Sequence, residues 1–183
     1  MVRNNIVRGA CLLALMPSLH TPIAQADEPR NQAVAALLEP PSNQVLSFSA
    51  LADGVQIYQC VMQKDDAAHF SWTLKAPDAV LRSDSGEPSG KHYAGPTWEA
   101  SDGSKVVGEL VAKADAPASD SIPWLLLRAK STAGVGVFSQ VTFIQRLRTH
   151  SGNAPATGCD RSQVGKEVRV PYSAVYRFYT SRH

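Results

Sequence analysis

The chain has 183 residues, and its 18 Lys and Arg against 16 Asp and Glu give a formal charge of +2. Basic segments such as "RLRTH" and "RVPYSAVYR" are scattered and form no stripe. That excludes a nucleic-acid binder whose affinity comes from neutralising phosphates.

The first segment, "MVRNNIVRGACLLALMPSLHTPIAQA", reads as a secretory signal peptide over residues 1–26. Arg3 and Arg8 precede an apolar run from Ala10 to Met16, and Ala24-Gln25-Ala26 is a small-x-small cleavage pattern. The run falls short of the roughly 20 residues that a membrane-spanning helix needs, and no later stretch is long and apolar enough, so no transmembrane segment is expected. Cys11 precedes most of the apolar run, which argues against a lipid-anchored cysteine. Cleavage after Ala26 leaves residues 27–183, one domain in which basic and acidic side chains are equal in number. The expected location is secreted or periplasmic. Cys60 and Cys159 then remain, and two cysteines in an exported domain point to one disulfide. Closing so long a loop stabilises by up to about 4–5 kcal/mol on chain-entropy grounds. No Cys-x-x-Cys spacing supports a reactive pair.

Residues 27–44 read as a flexible lead-in, with "NQAVAALLE" able to make two helical turns before the Pro40-Pro41 pair stops them. From Val45 the pattern becomes β. "VLSFSA" alternates as a half-buried strand does, "ADG" reads as a turn, and "GVQIYQCVM" places Val55 and Ile57 on one face with Gln56, Tyr58 and Cys60 on the other. "HFSWTL" and "APDAVLRS" read as two further strands, and "DSGEPSGK" as a loop. "PTWEAS", the Asp102-Gly103 turn and "SKVVGELVAKA" follow. "WLLLRAKS" is an apolar run bounded by Pro123 and glycines, which fits a buried strand. "QVTFIQRLR" and "EVRVPYSAVYRFYTSR" complete the set, with Pro171 expected at a bulge or edge. Short strands separated by Gly, Pro and Asp turns predict an all-β domain: a single antiparallel β-sandwich or barrel of about eight to nine strands.

The densest chemistry lies in "KHYAGPTWEASDGSK", residues 91–105. Gly95-Pro96 and Asp102-Gly103 are turn signals around a short strand, and turns account for most of these residues. The functional alternative gathers His92, Glu99, Asp102 and Lys105 around a pocket, with His92 as proton carrier oriented by Glu99 or Asp102. His69, His92, His150 and His183 show no paired metal-ligand spacing, so no metal is expected. No Gly-x-Ser-x-Gly elbow is present, Gly134-x-Gly136 lacks a third glycine, and no phosphate loop occurs, so no cofactor is implied. Trp72 and Trp124 are expected in the core.

"DGVQIYQC", "FSWTLKAPDAVL", "HYAGPTWEASDGSKVVGE", "IPWLLLRA", "GVFSQVTFIQRLRTHSGNAP", "GCD" and "VPYSAVYRFY" occur in this order. With these words the chain resembles the DUF3455 family of exported proteins, from about Val45 to Tyr179. The resemblance implies a secreted or envelope β domain and carries no catalytic assignment. Its words include both cysteines, in agreement with a Cys60–Cys159 bridge.

Arg146 interrupts an apolar strand in "TFIQRL". If buried, it is expected to find a carboxylate, with Asp102, Glu99 or Asp160 as candidates. An anion-binding arginine in a pocket is the sharper alternative. The sequence therefore predicts a ligand-binding or envelope-associated module whose pocket is lined by His92, Trp98, Asp102 and Arg146. Its partner is an unidentified small molecule or envelope component. A hydrolase-like enzyme using His92 with Asp102 or Glu99, and a structural or protein-interaction domain, are the alternatives.

Overall fold

The computed structural model describes residues 27–64 and 66–182. The segment read as a signal peptide lies outside the described residues. The domain is a closed antiparallel barrel in which each strand pairs with the next and the last returns to the first. Its strands are β1 (Gln44–Gln63), β2 (Asp66–Arg82), β3 (Pro88–Tyr93), β4 (Thr97–Ala100), β5 (Lys105–Ala114), β6 (Trp124–Ala133), β7 (Val141–Ser151) and β8 (Glu167–Ser181). Of the two predicted β architectures, this is the barrel. Closure leaves no full-length free edge, and eight strands enclose a space that side chains or one small ligand can fill.

Two predicted boundaries do not exist: the turn at Asp53-Gly54 and the break between "HFSWTL" and "APDAVLRS". β1 runs unbroken through Asp53-Gly54, because Gly54 is paired on both sides, with Ala79 and with Tyr172. A Cβ there would stand 2.2 Å from the carbonyl oxygen of Asp78, so glycine marks a close strand approach. Likewise "HFSWTL" and "APDAVLRS" are one strand, β2, which passes straight through Pro77. Pro77 is tolerated because β2 meets β3 only from Ala79 onward, so no ladder bond is lost on that side. Pro171 sits similarly, one residue beyond the last pair of β7 with β8, Ser151 with Tyr172. β3 lies partly in the stretch read as a loop, since "PSGK" carries no apolar alternation.

Val55 and Ile57 are only half-buried, whereas Gln56, Tyr58 and Cys60 are buried and face the lumen. One wall of the barrel is built from small residues, Ala50, Ala52 and Ala79. This makes room for Trp98, Phe138, Tyr176 and Phe178. Phe48, Phe138 and Phe178 pack face to face or tilted within 5.6 Å and plug one end.

A second apolar cluster lies on the outside of β6 and β7. Trp124, Leu126 and Leu147 are covered there by Leu38, which is 1% exposed. Leu38 follows helix α1, Asp27–Ala36, within the expected lead-in. The side chain of Gln145 is buried beneath it, donating to the Leu38 carbonyl at 2.7 Å and accepting from the Tyr179 hydroxyl. Trp124 is thus buried, but between the barrel and its N-terminal segment and not in the lumen. Trp72 is half-buried, its indole N–H donating to the Thr157 carbonyl.

The disulfide joins Cys60 on β1 to Cys159 in the β7–β8 loop, 99 residues apart. It anchors that loop across the end opposite the phenylalanine plug. Among the described residues, no helix is long and apolar enough to cross a membrane.

Candidate functional site

The β3–β4 hairpin is short. β3 has six residues and β4 four, while β1 has twenty and β2 seventeen. β2 therefore outruns its neighbour, and its residues before Ala79 have no β3 partner. A cavity of about 280 Å³ opens at this gap, between Leu74–Pro77 of β2 and the hairpin tip Ala94–Pro96. That volume is near the small end of ligand sites.

The cavity's aromatic wall is a fixed triad. The His92 imidazole stacks on Trp98, with ring centres 4.4 Å apart, and Tyr176 meets both rings edge-on. Gly108 allows Trp98 this position, since a Cβ there would stand 2.9 Å from the indole ring. His92 is 3% exposed, and its Nδ1 lies 2.9 Å from the Thr97 carbonyl oxygen. A carbonyl only accepts, so Nδ1 carries the proton and Nε2 is left as an acceptor. Burial pulls the imidazole pKa down to about 3; the bond to Thr97 opposes this and the charge of Arg146 adds to it. His92 is neutral throughout the physiological range.

Arg146 enters from β7. It forms no ion pair among the described residues, which corrects the expected structural pair. Its Nε and Nη2 instead donate to the Pro123 carbonyl oxygen, at 3.1 and 2.8 Å. The candidate carboxylates are engaged elsewhere. Glu99 accepts from the Tyr93 hydroxyl at 2.7 Å and pairs with Lys105 and Lys91. The Tyr93 bond, followed by the bond to Lys105, holds its carboxyl below the usual range. Asp160 accepts from the amide and hydroxyl of Ser162.

Asp102 lies at the opposite end of the barrel. Its carboxylate accepts from the Ser104 amide and hydroxyl and from the Val137 amide. Those bonds, that of the Ser104 hydroxyl first, hold its pKa down. The Ser104 hydroxyl in turn accepts from the Phe138 amide at 3.1 Å, so this hub seats the phenylalanine plug. His92, Trp98 and Arg146 share one cavity, and Asp102 is not part of it. Neither Asp102 nor Glu99 contacts His92, so the acid–imidazole pair of the enzyme alternative is not assembled.

Gln56 and Tyr176 also line the cavity, and sequence reasoning missed both. The β8 alternation Tyr172, Ala174, Tyr176, Phe178 was the available signal, since every second residue faces the lumen. Several buried polar atoms of the lining residues have no hydrogen-bond partner among the described residues: Gln56 Nε2, Trp98 Nε1 and the Tyr176 hydroxyl. Such groups are rare in folded proteins and call for a reason. A larger hollow of about 730 Å³ lies at the plugged end, beside Leu81, Asp102 and Phe138. Of the orphaned atoms, none belongs to a residue lining it, so size alone does not mark the site.

The model of the family described as "Protein of unknown function (DUF3455)" matches residues 82–180, from the end of β2 through β8. The chain belongs to the DUF3455 family. No curated protein and no solved structure matches it. Within the DUF3455 match lie His92, Trp98, Arg146, Tyr176 and Cys159, while Gln56 and Cys60 on β1 precede it.

Proposed function

We propose that this DUF3455 protein is an exported, disulfide-stabilised barrel that binds a small molecule in the cavity beneath the β3–β4 hairpin. One observation carries the reading. A guanidinium without a carboxylate and a set of buried polar groups with unspent hydrogen bonds meet at the same cavity. Leaving such groups unpaired costs about 1–3 kcal/mol each, and more where charge is involved. An acceptor-bearing occupant beside these donors would offset part of that cost. Export is supported by the signal-like first segment and by the Cys60–Cys159 bridge, which suits an oxidising compartment.

The test is a thermal-shift screen of the oxidised protein, residues 27–183, against small neutral and charged compounds. Ligands that bind only the folded state raise the melting temperature by mass action. Leu125→Trp, which fills the cavity from β6, is screened alongside. Hits on the wild type that vanish in the filled variant support the reading. Hits that persist in it place binding elsewhere, and a screen without hits contradicts the proposal.

A further inference from the structure

We propose that the occupant of this cavity is a small organic acid, a monocarboxylate with a compact apolar body, its head group held by the free edge of the Arg146 guanidinium. This rests on the reading of the cavity as a binding site and names the ligand class that site selects.

The guanidinium has two edges suited to a carboxylate. Pro123 occupies the side edge, using Nε and Nη2. The end edge, formed by Nη1 and the second N–H of Nη2, makes no geometrically sound hydrogen bond among the described residues, and the Tyr176 hydroxyl lies close enough to interact with the guanidinium. Two parallel N–H donors match the two oxygens of a carboxylate, and such pairing is both strong and directional.

Apart from the His92 Nε2 acceptor, the neighbouring unspent groups ask for the same chemistry. Gln56 Nε2 and Trp98 Nε1 are donors only, and the Tyr176 hydroxyl can donate. Donors gathered around the cavity favour a ligand rich in acceptors over an amine or a second cation. Among the described residues, Arg146 is the only charged side chain on the lumen side of this cavity, since Lys75, its other cation, is paired with Glu167 on the outer surface. One cation balances one negative charge. A phosphate dianion would keep part of its charge uncompensated against an apolar wall, at high cost. That wall consists of Leu74, Pro77, Pro96, Leu125 and Leu127, which suits an aliphatic or aromatic body.

The experiment is calorimetric titration of the oxidised wild-type protein at pH 7 with benzoate and hexanoate, beside benzamide and hexanamide. These pairs share a body and differ in head-group charge. The acids are expected to bind roughly tenfold or more tightly than the amides. Arg146→Gln is expected to erase that difference by weakening the acids alone, and Arg146→Lys to restore part of it. Amides that bind wild type as tightly as the acids would overturn the acid class and leave the cavity reading standing. Failure of all four probes would overturn the acid class too. The cavity reading would then survive only if the broad screen gives hits that the filled variant loses. The wild-type comparison needs no variant, so a variant that fails to fold leaves the test intact.

Discussion

Arg146 is tied to Pro123 through a backbone carbonyl and to no acid. The carbonyl orients the guanidinium without neutralising it. A structural arginine in a protein wall is ordinarily paired with a carboxylate, and breaking such a buried pair costs about 3–5 kcal/mol. Arg146 holds its position at a lower level of compensation. Residues kept for binding are often held in this way, at some expense to stability.

Replacing Arg146 by Met therefore has little effect on the fold. Its stability in urea should change by no more than about 1 kcal/mol, the net worth of the lost hydrogen bonding to Pro123 offset by relief of a half-buried charge. A loss of several kcal/mol would mark Arg146 as a structural residue.

His92 makes a prediction on pH. Its folded pKa is lowered to about 3 by burial, from an ordinary value of 6.5. Below that ordinary value the unfolded chain binds a proton that the folded chain refuses. Stability is therefore complete above pH 6.5 and falls as the pH drops toward 3, by up to about 1.4 kcal/mol per pH unit. The lowered carboxylates, Glu99, Asp102 and Asp160, lose their contribution only at more acidic pH, so the window from pH 6.5 to 5 isolates the imidazole. Unfolding curves for wild type should weaken across that window, and those of His92→Gln should be flatter. Equal slopes would mean that His92 is protonated in the folded barrel.

The N-terminal segment should behave as part of the domain. Leu38→Ala removes a fully covered side chain from Trp124, Leu126 and Leu147, and should cost about 2–4 kcal/mol in equilibrium unfolding. Ligand binding should be unchanged, because this cluster lies outside the barrel wall.

The disulfide should matter for stability more than for architecture. Cys60 also holds the β7–β8 loop through its backbone, donating to the Lys166 carbonyl and accepting from the Gly165 amide, each at 2.9 Å. Cys60→Ser with Cys159→Ser should lower stability by about 2–5 kcal/mol while keeping the far-ultraviolet circular dichroism of the barrel. The loop around Thr157, freed from its anchor, should become the first site of proteolysis.

The β class, the strand alternation and the cysteine pair were legible in the sequence because each is a local or compositional signal. Gly54 and Pro77 misled for one reason. Both look like breaks, and both are accommodated by neighbours distant in sequence: a close β1–β2 approach, and the early end of β3. The site was half legible. His92 and Trp98 are one hairpin apart, and Arg146 stood out as a charge in an apolar strand. Their meeting depends on barrel closure, which no local pattern encodes. Asp102 looked like a partner for them, yet the strand between Trp98 and Asp102 carries it to the other end of the lumen. Gln56 was overlooked because an inward face that mixes small and polar residues reads as an outward one.

The most direct test of the cavity as a binding site is nitrogen-15 NMR of the three tryptophan indole N–H groups during titration with a mixture of small carboxylates, amides and alcohols. Trp98 lines the cavity, Trp124 lies outside the barrel under Leu38, and the Trp72 indole is bonded to Thr157. Binding in the cavity predicts a saturable shift of the Trp98 resonance while that of Trp124 stays fixed. A Trp98 resonance that never moves, or one that moves less than Trp124, would contradict it.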